Sequence, residues 1–79
     1  MIPDQAIADA LMDLAHRRGA GASFCPSEAA RVLSPKWRPL MPEVRRVAAT
    51  LPLVATQKGA AVDPLTARGP IRLRLAGAP

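Results

Sequence analysis

The run Trp37-Arg38-Pro39-Leu40-Met41-Pro42-Glu43-Val44-Arg45-Arg46-Val47-Ala48-Ala49-Thr50-Leu51 leaves this chain few folds to choose from. Met41, Val44, Val47, Ala48 and Leu51 recur at helical spacing and make one apolar stripe, while Arg38 and Arg45 fall on another face with Arg46 beside it. Proline is tolerated only in a first turn, so the helix starts near Pro39 or Pro42, and Pro52 ends it. A second helical segment precedes this one and a basic hairpin candidate follows. That succession is the one a winged helix-turn-helix needs.

Upstream, Asp4 is placed to cap a first helix in which Ile7, Leu11, Leu14 and Ala15 share a face, opposite Asp9 and Asp13. Arg17 and Arg18 suit its last turn, where positive charge meets the negative end of the helix dipole, and Gly19 stops it. Gly19-Ala20-Gly21 reads as a flexible turn. Ser23-Phe24-Cys25 reads as a very short strand that Phe24 anchors in the core. Pro26-Ser27-Glu28-Ala29-Ala30-Arg31-Val32-Leu33 has proline in a first-turn position and an acid near its start, as a helix N-terminus prefers. Ala29, Val32 and Leu33 are expected to face inward, and Ser34-Pro35 closes the segment.

Downstream, Leu53-Val54-Ala55-Thr56-Gln57 is rich in strand-forming residues and Lys58-Gly59 is a turn signal. Gly59 to Pro70 has no periodicity and reads as one long loop. Ile71-Arg72-Leu73-Arg74-Leu75 alternates strictly, which puts Ile71, Leu73 and Leu75 on the core face and both arginines in solvent. Ala76 to Pro79 reads as a frayed tail. No repeat or linker divides the chain. The expected fold is α+β, mostly α, a single domain over residues 1–79: a winged helix-turn-helix in which three helices pack with a small antiparallel sheet. The third helix takes the recognition position and the loop after Gln57 is the wing.

Composition limits how this fold is filled. Apolar residues make up 49% of the 79, yet there is one Phe, one Trp and no Tyr, so the core must be built from small aliphatics. At this size only about 60% of the unfolded surface is buried, and stability is expected to be marginal. The formal charge of +5 is unevenly placed. Residues 1–16 carry Asp4, Asp9 and Asp13 without a Lys or Arg, whereas from Arg17 onward 11 basic residues face only Glu28, Glu43 and Asp63. Clustered positive charge on a small domain is the footprint of a polyanion binder; it also serves simply to solubilise an alanine-rich surface.

The lone cysteine, Cys25, has no partner for an internal disulfide, which fits a reducing compartment, and the cytoplasm is the expected location. No run reaches the length of a membrane span, so no membrane association is expected. Nor does the chain read as an enzyme. It holds no Gly-rich phosphate loop, paired carboxylates or dinucleotide fingerprint. Cys25 and His16 alone supply neither an activated nucleophile nor a zinc ligand set, so no catalytic residue, cofactor or metal ligand is assigned. Cys25 is expected as a small buried residue beside Phe24, and Trp37 as packing on the third helix.

Four runs taken together, Cys25-Pro26-Ser27-Glu28-Ala29-Ala30-Arg31, Trp37 through Arg45, Gln57-Lys58-Gly59 with Val62-Asp63-Pro64, and Gly69-Pro70-Ile71-Arg72, resemble a small bacterial family catalogued as domain of unknown function 3253. The resemblance spans Ile7 to Arg74 and implies a compact winged-helix-like domain, without implying an activity. Abundant Ala, Arg, Gly and Pro with few Lys agrees with a GC-rich bacterial source. Leu51-Pro52-Leu53-Val54 departs from the pattern, where a longer helix end and a Gly turn are expected.

The candidate nucleic-acid-binding residues are Arg38, Arg45 and Arg46 on the third helix and Lys58 and Arg68 in the wing. The planar fork of arginine matches two phosphate oxygens or the O6 and N7 of guanine, and Arg45, one turn beyond Pro42, is the first choice for a base-reading side chain. Against this, the same arginines can pair with Glu43 or with the acidic first helix. Gln57, Lys58 and Asp63 can equally serve to stabilise the hairpin and its loop, since Asp before Pro starts turns. Two partner classes follow: duplex DNA, or another protein docked on the acidic helix or the basic face.

Overall fold

The computed structural model describes residues 2–19 and 21–76; Ala20 of the expected flexible turn and residues 77–79 of the expected tail lie outside them. Three helices come first: α1 (Asp4–Arg18), α2 (Pro26–Leu33) and α3 (Met41–Ala48), the last preceded by a 3-10 turn, Arg38–Leu40. Three strands follow: β1 (Leu53–Gln57), β2 (Ala60–Val62) and β3 (Arg72–Leu75). The result is an α+β fold, and α1 packs on α2, α3 and β3.

The α1 helix buries Ile7, Leu11 and Ala15 as its spacing predicts, and Gly19 ends it at φ 82, a left-handed conformation that glycine adopts without a Cβ clash. Asp4 is not its cap. Pro3 occupies that position, Asp4 is the first helical residue, and its carboxylate turns to Arg46.

The α2 helix follows its predicted bounds but presents a different face. Pro26, Ala29 and Ala30 are buried and Leu33 half-buried, while Val32 is 71% exposed. In so short a helix two neighbouring stripes both satisfy spacings of three and four; the stripe through Pro26 and Ala30 wins because two adjacent alanines let α1 come close. On α3 Val44, Val47 and Ala48 are buried as expected, with Met41 half-buried against them, but the helix ends at Ala48, short of Pro52. Leu51 packs half-buried from the turn that follows, where the Thr50 and Leu51 N–H groups donate to the carbonyls of Val47 and Ala48. Pro39 and Pro42 each sit in a first turn, one opening the 3-10 segment and one opening α3.

The sheet is antiparallel, in the order β2-β1-β3. Strand β2 is absent from the sequence reading, which has one loop from Gly59 to Pro70. Instead Lys58 and Gly59, at φ 51 and 82, form a two-residue turn with both residues left-handed, the type I′ pattern that fits the twist of a hairpin, and the chain returns as β2. The loop proper is therefore shorter, from Asp63 to Ile71. The expected strand at Ser23-Phe24-Cys25 is reduced to a single bridge, in which Phe24 and Leu73 exchange both N–H···O bonds at 2.8 Å. Ala55, Leu73 and Phe24 are thus neighbours across the sheet, and all three are buried. Ile71 is buried too; Arg72 is exposed, while Arg74 is half-buried rather than fully in solvent. Among the described residues no helix is long and apolar enough to cross a membrane.

Candidate functional site

Two of the three arginines predicted for the third helix, Arg45 and Arg46, lie on α3 and are engaged by partners within the chain, whereas Arg38 falls on the 3-10 turn ahead of it. Arg46 donates to both carboxylate oxygens of Asp4, at 2.9 and 2.6 Å, and to Glu43 at 3.0 and 2.5 Å. It ties the first turn of α1 to α3, the pairing with Glu43 and the acidic helix that the sequence allowed. The guanidinium lowers the Asp4 pKa, chiefly by hydrogen bonding, and its own pKa is raised by the same two carboxylates.

Arg45 reaches across to the loop. Its Nη1 donates to the Ala67 carbonyl at 2.7 Å and its Nη2 to the Gly69 carbonyl at 2.5 Å. From the opposite side Gln57 Nε2 donates to the carbonyls of Arg68 and, at 3.2 Å, of Pro70. Successive carbonyls are therefore taken alternately from two elements: α3 holds one pair and β1 the other. The strap Ala67-Arg68-Gly69-Pro70 is clamped between them. Gly69 passes through it at φ 82. Asp63 opens the same loop by accepting the Leu65 N–H on its side chain at 2.8 Å and the Ala67 N–H on its carbonyl at 2.9 Å. For Gln57 and Asp63 the stabilising role is thus visible in the bonds.

The clamp determines where the two predicted wing cations stand. Lys58, at the tip of the hairpin, and Arg68, on the strap, are both exposed and line one shallow depression of about 440 Å³ with Gln57 and Pro70. Arg38 stands apart from them. It is exposed at the start of the 3-10 turn, its guanidinium over the Trp37 ring at 4.6 Å from the centroid, and Trp37 packs half-buried against the core. Arg31 makes the same contact from α2, a pairing that no spacing rule reveals.

The remaining ion pairs sit on the α1 side. Arg17 pairs with Asp13 at 3.1 Å and Arg18 with Glu28. The Glu28 carboxylate also accepts the Cys25 N–H at 2.9 Å, and this bond is the first cause of its lowered pKa, with Arg18 adding to it. Cys25 is half-buried at the start of α2, not enclosed beside Phe24 as expected, and Ser27 Oγ donates to its Sγ at 3.0 Å. Among the described residues no group of three or more His, Cys, Asp or Glu is placed to hold a metal.

A family model described as "Protein of unknown function (DUF3253)" matches residues 4–76. No curated protein matches the chain. The chain belongs to the DUF3253 family.

Proposed function

For this DUF3253 member we propose a cytoplasmic nucleic-acid-binding module that docks on duplex DNA through the clamped loop and the turn ahead of α3. The observation that carries the reading is the distribution of unpaired charge. The carboxylates that form ion pairs meet Arg17, Arg18 and Arg46. Arg31, Lys36, Arg38, Arg45, Lys58, Arg68, Arg72 and Arg74 have no carboxylate partner among the described residues. Backbone carbonyls and a serine hold Arg45 and Arg72 without neutralising them. A compact surface with this excess draws a phosphate backbone and releases its condensed counterions.

In this reading Lys58, Arg68 and Arg38 touch DNA, Arg45 is a positioning residue that holds the strap, and Arg46 fastens α1 to α3. Binding is favoured over catalysis because the carboxylates are occupied: Asp9 accepts from Gln5, Asp63 caps the loop, and the other four are ion-paired.

The test is fluorescence anisotropy with a generic labelled duplex at two salt concentrations, for wild type and Lys58→Asn. Asparagine is favoured at the first position of a type I′ turn, so this change removes the cation without opening the hairpin. The variant should bind more weakly and its slope of log affinity against log salt should fall by about 0.9. If wild type binds no duplex at low salt, the proposal fails. A protein-docking role would then stand, for which the depression lined by Met41, Pro42, Arg45, Leu65 and Gly69 is the apolar surface, with Leu65 59% exposed at its edge.

A further inference from the structure

A second concentration of positive charge lies where α2 hands over to α3. Arg31 is in the last turn of α2, Arg38 opens the 3-10 turn, and Lys36 falls between them. Both guanidinium carbons lie over the Trp37 ring, each 4.6 Å from its centroid, so the two cations are no more than twice that distance apart. All three basic side chains are exposed, and none has a carboxylate in ion-pair reach among the described residues. Like charges this close repel. The negative face of the indole offsets part of the repulsion, and a bound polyanion would remove the rest.

The ring is a fixed support, because Trp37 packs against the core and its neighbour Lys36 has its N–H on Ser34 Oγ at 3.1 Å. A guanidinium stacked on such a ring has already lost part of the rotamer freedom that binding an anion costs, and its N–H edge stays free to donate in the plane. With cations over it, Trp37 is not an open platform for a nucleobase. Two oriented forks flanked by a lysine suit successive phosphates of one strand better than a single small anion.

We propose that Arg31, Lys36 and Arg38, arrayed on Trp37, form a phosphate-backbone site for duplex DNA, separate from the Lys58 and Arg68 depression and indifferent to sequence. The proposal rests on the nucleic-acid reading above and adds Arg31 and Lys36, which neither helical spacing nor the wing pattern singles out. It enlarges the single Arg38 contact at the turn ahead of α3 into a full second anchor, so that the domain grips DNA at two places on its surface.

Trp37 is the only tryptophan, so its emission reports on this site alone. A labelled generic duplex is titrated with the protein at low and moderate salt, following anisotropy and tryptophan emission together. Emission should change along the same curve as anisotropy, since phosphates draw the guanidiniums off or across the ring. Arg31→Gln and Arg38→Gln should each weaken binding several-fold at low salt and each lower the salt slope by about 0.9. Arg31→Lys, which keeps the charge and loses the fork, should weaken binding while leaving the slope as in wild type, which separates a lost contact from a misfolded variant. Duplex binding with unchanged tryptophan emission and wild-type slopes in both glutamine variants would overturn this site and leave Lys58 and Arg68 as the anchor. Absence of any duplex binding at low salt would instead sink the underlying nucleic-acid reading along with it.

Discussion

Gln57 is a neutral residue on which the placement of two charges depends. Its amide donates to the Arg68 and Pro70 carbonyls while Arg45 takes those of Ala67 and Gly69. Replacing Gln57 with Ala releases one side of the strap to water. The carbonyls are largely exposed, so the global cost should be about 1 kcal/mol, read from chemical denaturation. Local opening should rise far more, and hydrogen exchange over residues 65–70 is the measurement. Should the domain bind duplex DNA as proposed, Gln57→Ala will weaken it without altering the salt slope, because no cation is lost, whereas Lys58→Asn alters both. Arg45→Lys should loosen the strap nearly as much as Arg45→Ala, since a single ammonium cannot bridge two carbonyls as the planar fork does. Equal hydrogen exchange in wild type and Gln57→Ala would show that the amide holds nothing. None of this is legible in the chain, where Arg45 reads as a surface cation. Its partners are backbone carbonyls 22 and 24 residues away, groups that every residue carries and no pattern marks.

At the scale of elements, what could be read depended on how much side-chain pattern each one carries. The strand β1 and the alternation around Leu73 were legible because β-branched and apolar residues mark them. Strand β2 was not, since Ala60 and Ala61 are exposed and alanine is depleted in strands; the turn at Lys58-Gly59 and pairing to β1 make it a strand. Helix α2 was legible in its ends but not in its face, as its few residues fit more than one stripe. Two substitutions probe this level. Leu73 is 1% exposed, pairs with both Ala55 and Phe24, and joins the sheet to the helices, so Leu73→Ala should destabilise by roughly 2 to 5 kcal/mol, a loss a thin core of small aliphatics scarcely tolerates. Val32→Ser should change stability by only about 0.5 kcal/mol, as expected of an exposed site. Thermal melts of the two variants check both, and a large loss at Val32 would restore it to the core.

Across the whole molecule, the ion pairs are sorted to one place: Asp4, Asp13, Glu28 and Glu43 meet Arg46, Arg17 and Arg18 around α1 and α3, and Arg72 adds to the positive field at Glu28. This sorting ties the fastening of α1 to pH. The carboxyls of Asp4 and Glu28 both have folded pKa values below their ordinary ones, Asp4 through Arg46 and Glu28 through the Cys25 N–H and then Arg18. A depressed carboxyl pKa means the folded state binds the proton less readily than the unfolded chain. Its contribution to stability is therefore present in full above the unfolded carboxyl pKa, near pH 4, and is lost as pH falls through the folded value. The domain should hold its stability from neutral pH down to about 5 and lose it progressively below about 4. Protonation also strips negative charge from a chain already at +5, so self-repulsion acts in the same direction. Urea midpoints measured from pH 7 to pH 3 should trace this fall, and Glu28→Gln, which keeps the shape but cannot ionise, should flatten it by lowering the neutral-pH midpoint while leaving the acid one nearly unchanged. Exposed ion pairs are weak and screened, so the Asp4 share should fade in high salt, whereas the Glu28 share, resting first on a backbone N–H, should persist. A wild-type midpoint that stays level down to pH 3 would mean that neither carboxylate secures α1, and the helix would then be held by Ile7, Leu11 and Ala15 alone.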